Sequence, residues 1–218
     1  RVLEASPEQR ESHRALLRFR TDAVAHLTGT EFRRVQVRKG IWSGGAFRAP
    51  DIRLANLYAR KVLGAAGLGG ERSIWNLAPA ERFVAPETLY DQLLDAVAPR
   101  IEWGFEVNFA AVTGKPIIST APLPVTLKHL GALPPDAASF ARAPITVERW
   151  RVPGSDLFQT IYFPDEGTPL YRASITGDVM ILEYAAAPEQ DEDSEVYAAA
   201  HAFGLSADAL EMEERVGQ

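Results

Sequence analysis

Leu157-Phe158-Gln159-Thr160-Ile161-Tyr162-Phe163 and Leu170-Tyr171-Arg172-Ala173-Ser174-Ile175-Thr176-Gly177 flank Pro164-Asp165-Glu166-Gly167. Both flanking runs are rich in β-branched and aromatic residues, and the segment between them is turn chemistry. The pattern predicts two strands. Working outward, Ile145 to Val152 predicts an earlier strand ended by Pro153-Gly154, and the run from Leu170 continues to Tyr184 with a further turn at Gly177-Asp178. An antiparallel sheet over 134–188 is expected. Residues two apart share a face of a strand, so Arg172, Ser174 and Thr176 line one side. Gln159, Tyr162 and Tyr171 add polar groups to the same region. Such a surface suits a ligand with several hydrogen-bonding groups, and the solvated face of an antiparallel sheet reads the same way.

Upstream the pattern alternates between periods. Val2 and Leu3 predict a strand ending at Glu4, and Ser6-Pro7 is a helix start with Ser6 as N-cap. Leu16, Leu17, Val24 and Leu27 recur near helical spacing. Phe32 to Ile41 alternates, with Val35, Val37 and Ile41 on one face, and Ser43-Gly44-Gly45 turns the chain. Asp51 to Leu63 predicts a helix burying Ile52, Leu54, Leu57, Tyr58 and Val62, and Glu87 to Val97 predicts a second. The glycines at 64, 67, 69 and 70 follow a helix and lack GxGxxG spacing, so they read as a loop after a helix C-cap and not as a phosphate loop. Ile101 to Val107 and Ile117 to Thr120 predict strands, the latter stopped by Pro122 and Pro124. The acidic stretch Glu189 to Glu195 leads to two helical segments, Ser194 to Phe203 and Ser206 to Val216. The class is α/β, α+β overall.

No apolar run approaches the roughly 18 residues of a membrane span. Arg1-Val2-Leu3-Glu4 lacks the regions of a signal peptide, and cysteine is absent, so disulfides and thiolate chemistry are excluded and a cytoplasmic protein is expected. The four histidines are scattered without metal-ligand spacing, so no metal site is expected. No Gly-x-Ser-x-Gly occurs, which argues against a serine hydrolase. The net charge of -6 hides an asymmetry: residues 1–100 carry 16 Lys/Arg against 11 Asp/Glu, and residues 101–218 carry 7 against 18. A basic half suits phosphates of a cofactor or a nucleic acid, or is simply a differently charged surface. Glu4 has two acceptor oxygens, which match a vicinal ribose diol at the end of a second strand of a dinucleotide fold; a solvated loop carboxylate is the alternative.

Several segments together resemble a known arrangement. Val2-Leu3-Glu4-Ala5 looks like the second strand of the FAD domain in the group of amine oxidases, protoporphyrinogen oxidases and UDP-galactopyranose mutases. Trp103-Gly104-Phe105-Glu106-Val107 looks like its adenine-contacting strand, and Ile117-Ile118-Ser119-Thr120-Ala121-Pro122 like its strand and turn returning to the cofactor. A closer resemblance is to bacteriophage FAD-dependent lyases of thymidine hypermodification. It is carried by His13 to Arg20, Arg72 to Leu77, Asp156 to Pro164 and Leu170 to Asp178, and spans most of the chain.

The resemblance implies a partial Rossmann-like FAD-binding domain with an inserted substrate domain of antiparallel sheet and helices. The FAD remnant would be 1–30, with substrate-side elements at 31–100, return strands at 101–133, the substrate sheet at 134–188 and an acidic linker with C-terminal helices at 189–218. It implies FAD contacts at Glu4, His13, Arg14, Val107, Thr120, Ala121 and Pro122. The first strand, its glycine-rich loop and a C-terminal segment over the flavin would lie outside the chain. The activity implied is oxidation of a C–N bond next to an amine, converting glycyl-thymidine in DNA to 5-aminomethyl-deoxyuridine. Arg172 would hold the substrate carboxylate, Tyr171, Tyr162 and Gln159 would frame the base, and Arg33, Arg34, Arg38 and Lys39 would contact modified duplex DNA. The competing readings are a small-molecule amine oxidase or sugar-nucleotide mutase on the same fold, and a flavin-free binding module should Arg1 be the true start.

Overall fold

Alternation over Arg34 to Arg38 builds into the longest described strand of the computed structural model, Arg33–Ser43 (β3), with Val35, Val37 and Ile41 buried on one side. The structure describes residues 2–4, 18–64, 74–104, 116, 118–134, 145–185 and 193–217. They fall into two compact units, Arg1–Ala15 with Glu87–Arg142 and Leu16–Pro86 with Ala143–Gln218. The fold is α/β.

In the first unit Val2–Glu4 (β1) pairs in parallel with Ile101–Trp103 (β6), Glu4 opposite Trp103. Helix Leu89–Val97 buries Leu89 at its first position and passes into a short 3-10 turn at Ala98–Arg100, where Pro99 removes a donor. The expected strand at Ile117–Thr120 is absent from residues 118–120: they pair with no strand, and Ile118 is 95% exposed. Instead Pro122 begins a helix, Leu123–His129, with Pro124 in its first turn, where a proline loses no hydrogen bond. The two prolines start a helix here and do not merely stop a strand.

The second unit is built on a nine-stranded sheet. Its path runs from Glu211–Gly217 (β11) through Thr146–Arg151 (β7), Val179–Tyr184 (β10), Leu170–Gly177 (β9) and Leu157–Tyr162 (β8) to β3, then Ala80–Val84 (β5) and Arg18–Phe19 (β2); Ala46–Arg48 (β4) pairs with β3. All pairings but β3 with β8 are antiparallel. The β3–β4 hairpin closes on Gly44 and Gly45, both at positive φ (58° and 74°), the two-residue turn that matches strand twist.

Helix Ile52–Leu63 starts on Asp51, whose carboxylate accepts from the Leu54 amide at 2.7 Å, and ends on left-handed Gly64. It buries Leu54, Ala55, Tyr58 and Ala59, while the expected core residue Ile52 is 62% exposed because it sits at the first helical position, beyond the sheet-facing stripe. This helix covers one sheet face, packing Leu54, Ala55 and Tyr58 with Ile41, Tyr162 and Tyr171. Helix Asp193–Phe203 covers the other, packing Val196, Ala199 and Ala202 with Ile161, Ala173, Ile175, Met180, Leu182 and Tyr184.

Two expectations in this unit are corrected, and one strand had none. Leu16 and Leu17 lie outside the described residues; from Arg18 onward the helical spacing holds over Ala23–Thr28, while Arg18–Phe19 pairs with β5. β5 itself has no clear alternation: all five of its residues are half-buried. The expected C-terminal helix from Ser206 to Val216 is a 3-10 turn at Ala207–Ala209 followed by β11. Edge pairing outcompetes helix propensity there, since Glu213 bonds Arg151 and Arg215 bonds Glu148 across the strands. Among the described residues no helix is long and apolar enough to cross a membrane.

Candidate functional site

Directly paired residues share a sheet face, as do residues two apart in a strand. Ile41, Tyr162, Arg172 and Glu183 are successive partners across β3, β8, β9 and β10. On the same face β3 continues to Val35, opposite Arg82, and to Arg33, opposite Val84, which in turn opposes Arg18. The register therefore sets Arg18, Arg82, Tyr162, Arg172 and Glu183 on the face covered by helix Ile52–Leu63.

A bulge sharpens the cluster. Glu183 faces Arg172, but the next residue, Tyr184, faces Leu170, so Tyr171 is the extra residue of β9. Bulges re-aim side chains. Tyr171 lands beside Arg172: its hydroxyl donates to Glu183 Oε1 at 3.2 Å, and the Arg172 guanidinium carbon lies 5.7 Å from its ring centroid. Arg172 donates from Nε and Nη2 to the two Glu183 oxygens. Tyr58 reaches in from the helix, its ring edge-on to Tyr162 at 5.4 Å and to Tyr171 at 6.3 Å. One turn later, Lys61 Nζ donates to the carbonyls of Phe163 (2.8 Å) and Leu170 (3.1 Å), tying the helix to the β8–β9 connection. Burial holds the Lys61 amine down to about 8 against the pull of Asp165 and Glu166.

The electrostatics are lopsided. Burial lowers the Arg18 guanidinium, and the like charges of Arg172 and Arg82 lower it further. Burial also pulls on Arg172, but the Glu183 hydrogen bonds and charge outweigh it and hold Arg172 above its ordinary value. Burial, then the Glu183 charge, pushes Tyr171 up to about 12, and burial raises Tyr58 as well. Arg18 Nη1 is buried with no hydrogen-bond partner among the described residues. Arg18 and Arg172 thus both draw on Glu183 in a half-dry setting, Arg82 adds a third positive charge beside Arg18, and an unmatched charge there is expensive.

Of the expected substrate residues, Arg172, Tyr171 and Tyr162 come together. Gln159 does not: it pairs with Ile175 and Arg38, on the opposite face from Tyr162. Glu4, Thr120, Ala121 and Pro122 belong to the first unit, Glu4 at the carboxyl end of β1 and the other three exposed just before helix Leu123–His129. His13, Arg14 and Val107 lie outside the described residues. Of the expected DNA-contacting residues, Arg33 is bonded to both oxygens of Asp156 (2.7 and 2.6 Å) and Arg34 to Glu81 (2.6 Å), while Lys39 reaches the Asn76 carbonyl at 3.4 Å and Arg38 is exposed. Sequence reading missed Arg18, Tyr58 and Glu183. Glu183 was accessible: counting outward from the Gly177-Asp178 turn puts it directly across from Arg172. Arg18 had no such signal, because its strand is two residues long.

No family model matches the chain, and none of the curated proteins is similar to it in sequence. Among solved structures it is similar to that of reduced UDP-galactopyranose mutase, with a TM-score of 0.58 and 12% identity, over 94% of this chain and 70% of that one. At that identity the likeness is one of fold: the chain is built like a UDP-galactopyranose mutase.

Proposed function

We propose that the chain belongs to an FAD-dependent enzyme that oxidises a C–N bond next to an amine, specifically a phage lyase converting glycyl-thymidine in DNA to 5-aminomethyl-deoxyuridine. The observation that carries this reading is the gathering of Arg172, Tyr171 and Tyr162 on one half-buried sheet face, in a fold similar to that of a UDP-galactopyranose mutase, one of the enzyme types the sequence resembles. The parallel β1–β6 pair fits a dinucleotide: Glu4 ends its strand at the carboxyl edge, where such folds bind nucleotides. Glu4 would hold the ribose, with Thr120, Ala121 and Pro122 contributing contacts. When bound, FAD would accept a hydride from the glycyl Cα–H. The chain's own task is to hold the carboxylate, orient that C–H bond and keep the substrate in a half-dry site. Hydrolysis of the resulting substrate imine would release a two-carbon aldehyde acid and leave the amine on the base. Arg33, Arg34, Arg38 and Lys39 would contact the DNA.

The fold likeness itself favours a second reading, a sugar-nucleotide mutase. Anaerobic mixing of the flavin-loaded full-length protein with glycyl-thymidine DNA separates the two. Flavin bleaching by the DNA is expected. Bleaching by free amines alone would move the protein to the small-molecule oxidases, and a purified protein that binds no flavin would end the proposal.

A further inference from the structure

We infer that Arg18 is the anion-receiving group of the second unit, and that its buried Nη1 takes an oxyanion of the substrate on the sheet face that carries Tyr162 and Arg172. The assignment of the oxyanion to substrate rests on the flavoenzyme reading above. The site itself rests on the charge inventory. Arg172 is matched, since both oxygens of Glu183 receive its fork. Arg82 sends Nη1 to the Glu81 carbonyl at 2.6 Å. The other arginines of this face have carboxylate partners, Arg33 in Asp156 and Arg149 and Arg151 in Glu213, whereas Arg18 Nη1 is shut away from solvent without an acceptor among the described residues. A buried cationic donor left unmatched is costly, because it gives up its water and receives nothing in exchange. A carboxylate or phosphate oxygen would restore that bond and offset the like charges of Arg172 and Arg82, against which Glu183 is the carboxylate acting on Arg18. A guanidinium presents parallel donors to such an oxyanion, and burial around Arg18 strengthens that bond. Arg172 then becomes a positioning residue: with Tyr171 it holds Glu183, the carboxylate that acts on Arg18.

The test uses the arginine Nε–H resonances of the chain, titrated with N-methylglycine in one arm and with inorganic phosphate in the other. A saturable shift of the Arg18 resonance is expected, with affinity weakened at least about tenfold in Arg18→Gln, as for loss of a charged hydrogen bond. Arg18→Lys keeps the charge without the fork and should fall between the two. Arg60→Gln, in an exposed ion pair with Glu166, should bind as the parent does. A response to N-methylglycine identifies a carboxylate. A response to phosphate alone supports the site but removes the glycyl substrate. Absence of a saturable shift in both arms, or parental affinity in Arg18→Gln, overturns the inference. Should Arg18→Gln not fold, the parent titration and Arg18→Lys decide it. A protein that binds the anion at Arg18 yet holds no flavin would sink the flavoenzyme reading and leave this one standing.

Discussion

Two buried charge networks sit on opposite faces of the same sheet, and they are resolved differently. On the face under helix Asp193–Phe203, Glu148 is 1% exposed and fully answered: the Tyr184 hydroxyl donates at 2.8 Å, Trp150 Nε1 at 3.1 Å, and Arg215 from Nε at 2.9 Å and from Nη2. One cation meets one carboxylate, and neutral donors fill the remaining lone pairs. On the face under helix Ile52–Leu63, Glu183 is answered by Arg172 and Tyr171, yet Arg82 and Arg18 add charge that, among the described residues, is hydrogen-bonded to no carboxylate. A closed inventory is what a structural network requires, since its energy must balance without outside help. An open one is what a binding site can tolerate, because a ligand closes it.

The comparison breaks most sharply at Arg215. Arg215→Met strips Glu148 of the one cation bonded to it among the described residues and leaves a buried carboxylate with neutral donors, so the second unit should lose about 3 kcal/mol in urea unfolding. A loss under about 1 kcal/mol would mean that Tyr184 and Trp150 suffice, and the first network would not be a closed ion pair.

Arg18→Met should act in the opposite sense. Without ligand it removes an unmatched buried donor and a like-charge repulsion, so the chain should gain about 1 kcal/mol. A loss of similar size would place Arg18 beside Arg215 as a structural cation. The sign of this change, more than its size, distinguishes the two networks.

Alkaline titration probes the open network directly. Tyr171 keeps its proton until about pH 12 in the folded chain, while an unfolded tyrosine releases it near 10. The folded state therefore binds more protons between those values, and stability contributed by Tyr171 falls as pH rises from about 10 to 12. Tyr171→Phe should flatten that part of the stability profile; an unchanged profile would remove Tyr171 from the cluster.

The smallest effect belongs to a pair outside both networks. Arg60 and Glu166 are joined at 3.0 Å with more than half of each side chain exposed. Arg60→Gln should change stability by no more than about 0.5 kcal/mol. A larger effect would show that exposure is a poor guide to which charges matter in this sheet.

Local chemistry carried much of the fold into view. The Asp51 cap, the Gly64 stop, the Gly44-Gly45 hairpin and the Gly177-Asp178 turn are all short-range signals, and each marks an element boundary where the sequence reads one. The hairpin from Leu170 to Tyr184 also made Arg172 legible as a sheet-face cation. The failures share a cause. Arg18–Phe19, Ala80–Val84 and Glu211–Gly217 are strands by virtue of distant partners: the first is too short and the second too evenly half-buried to announce itself, and the third is a run of helix-forming residues paired with β7. Ile118 reads as a strand residue by composition, but no neighbouring strand pairs with it.

The amino-acid sequence by itself determined the α/β class, the period-2 faces of β3, β8 and β9, and the turns between them, because those depend on backbone preference and alternation within a few residues. Only the tertiary structure decided which charges meet. The bulge that turns Tyr171 toward Arg172, the register that brings Arg18 to the face of Glu183, and the separation of Gln159 from Tyr162 arise from pairing between segments far apart in the chain. Charge balance is a property of a closed volume, and that volume exists only once the sheet has assembled.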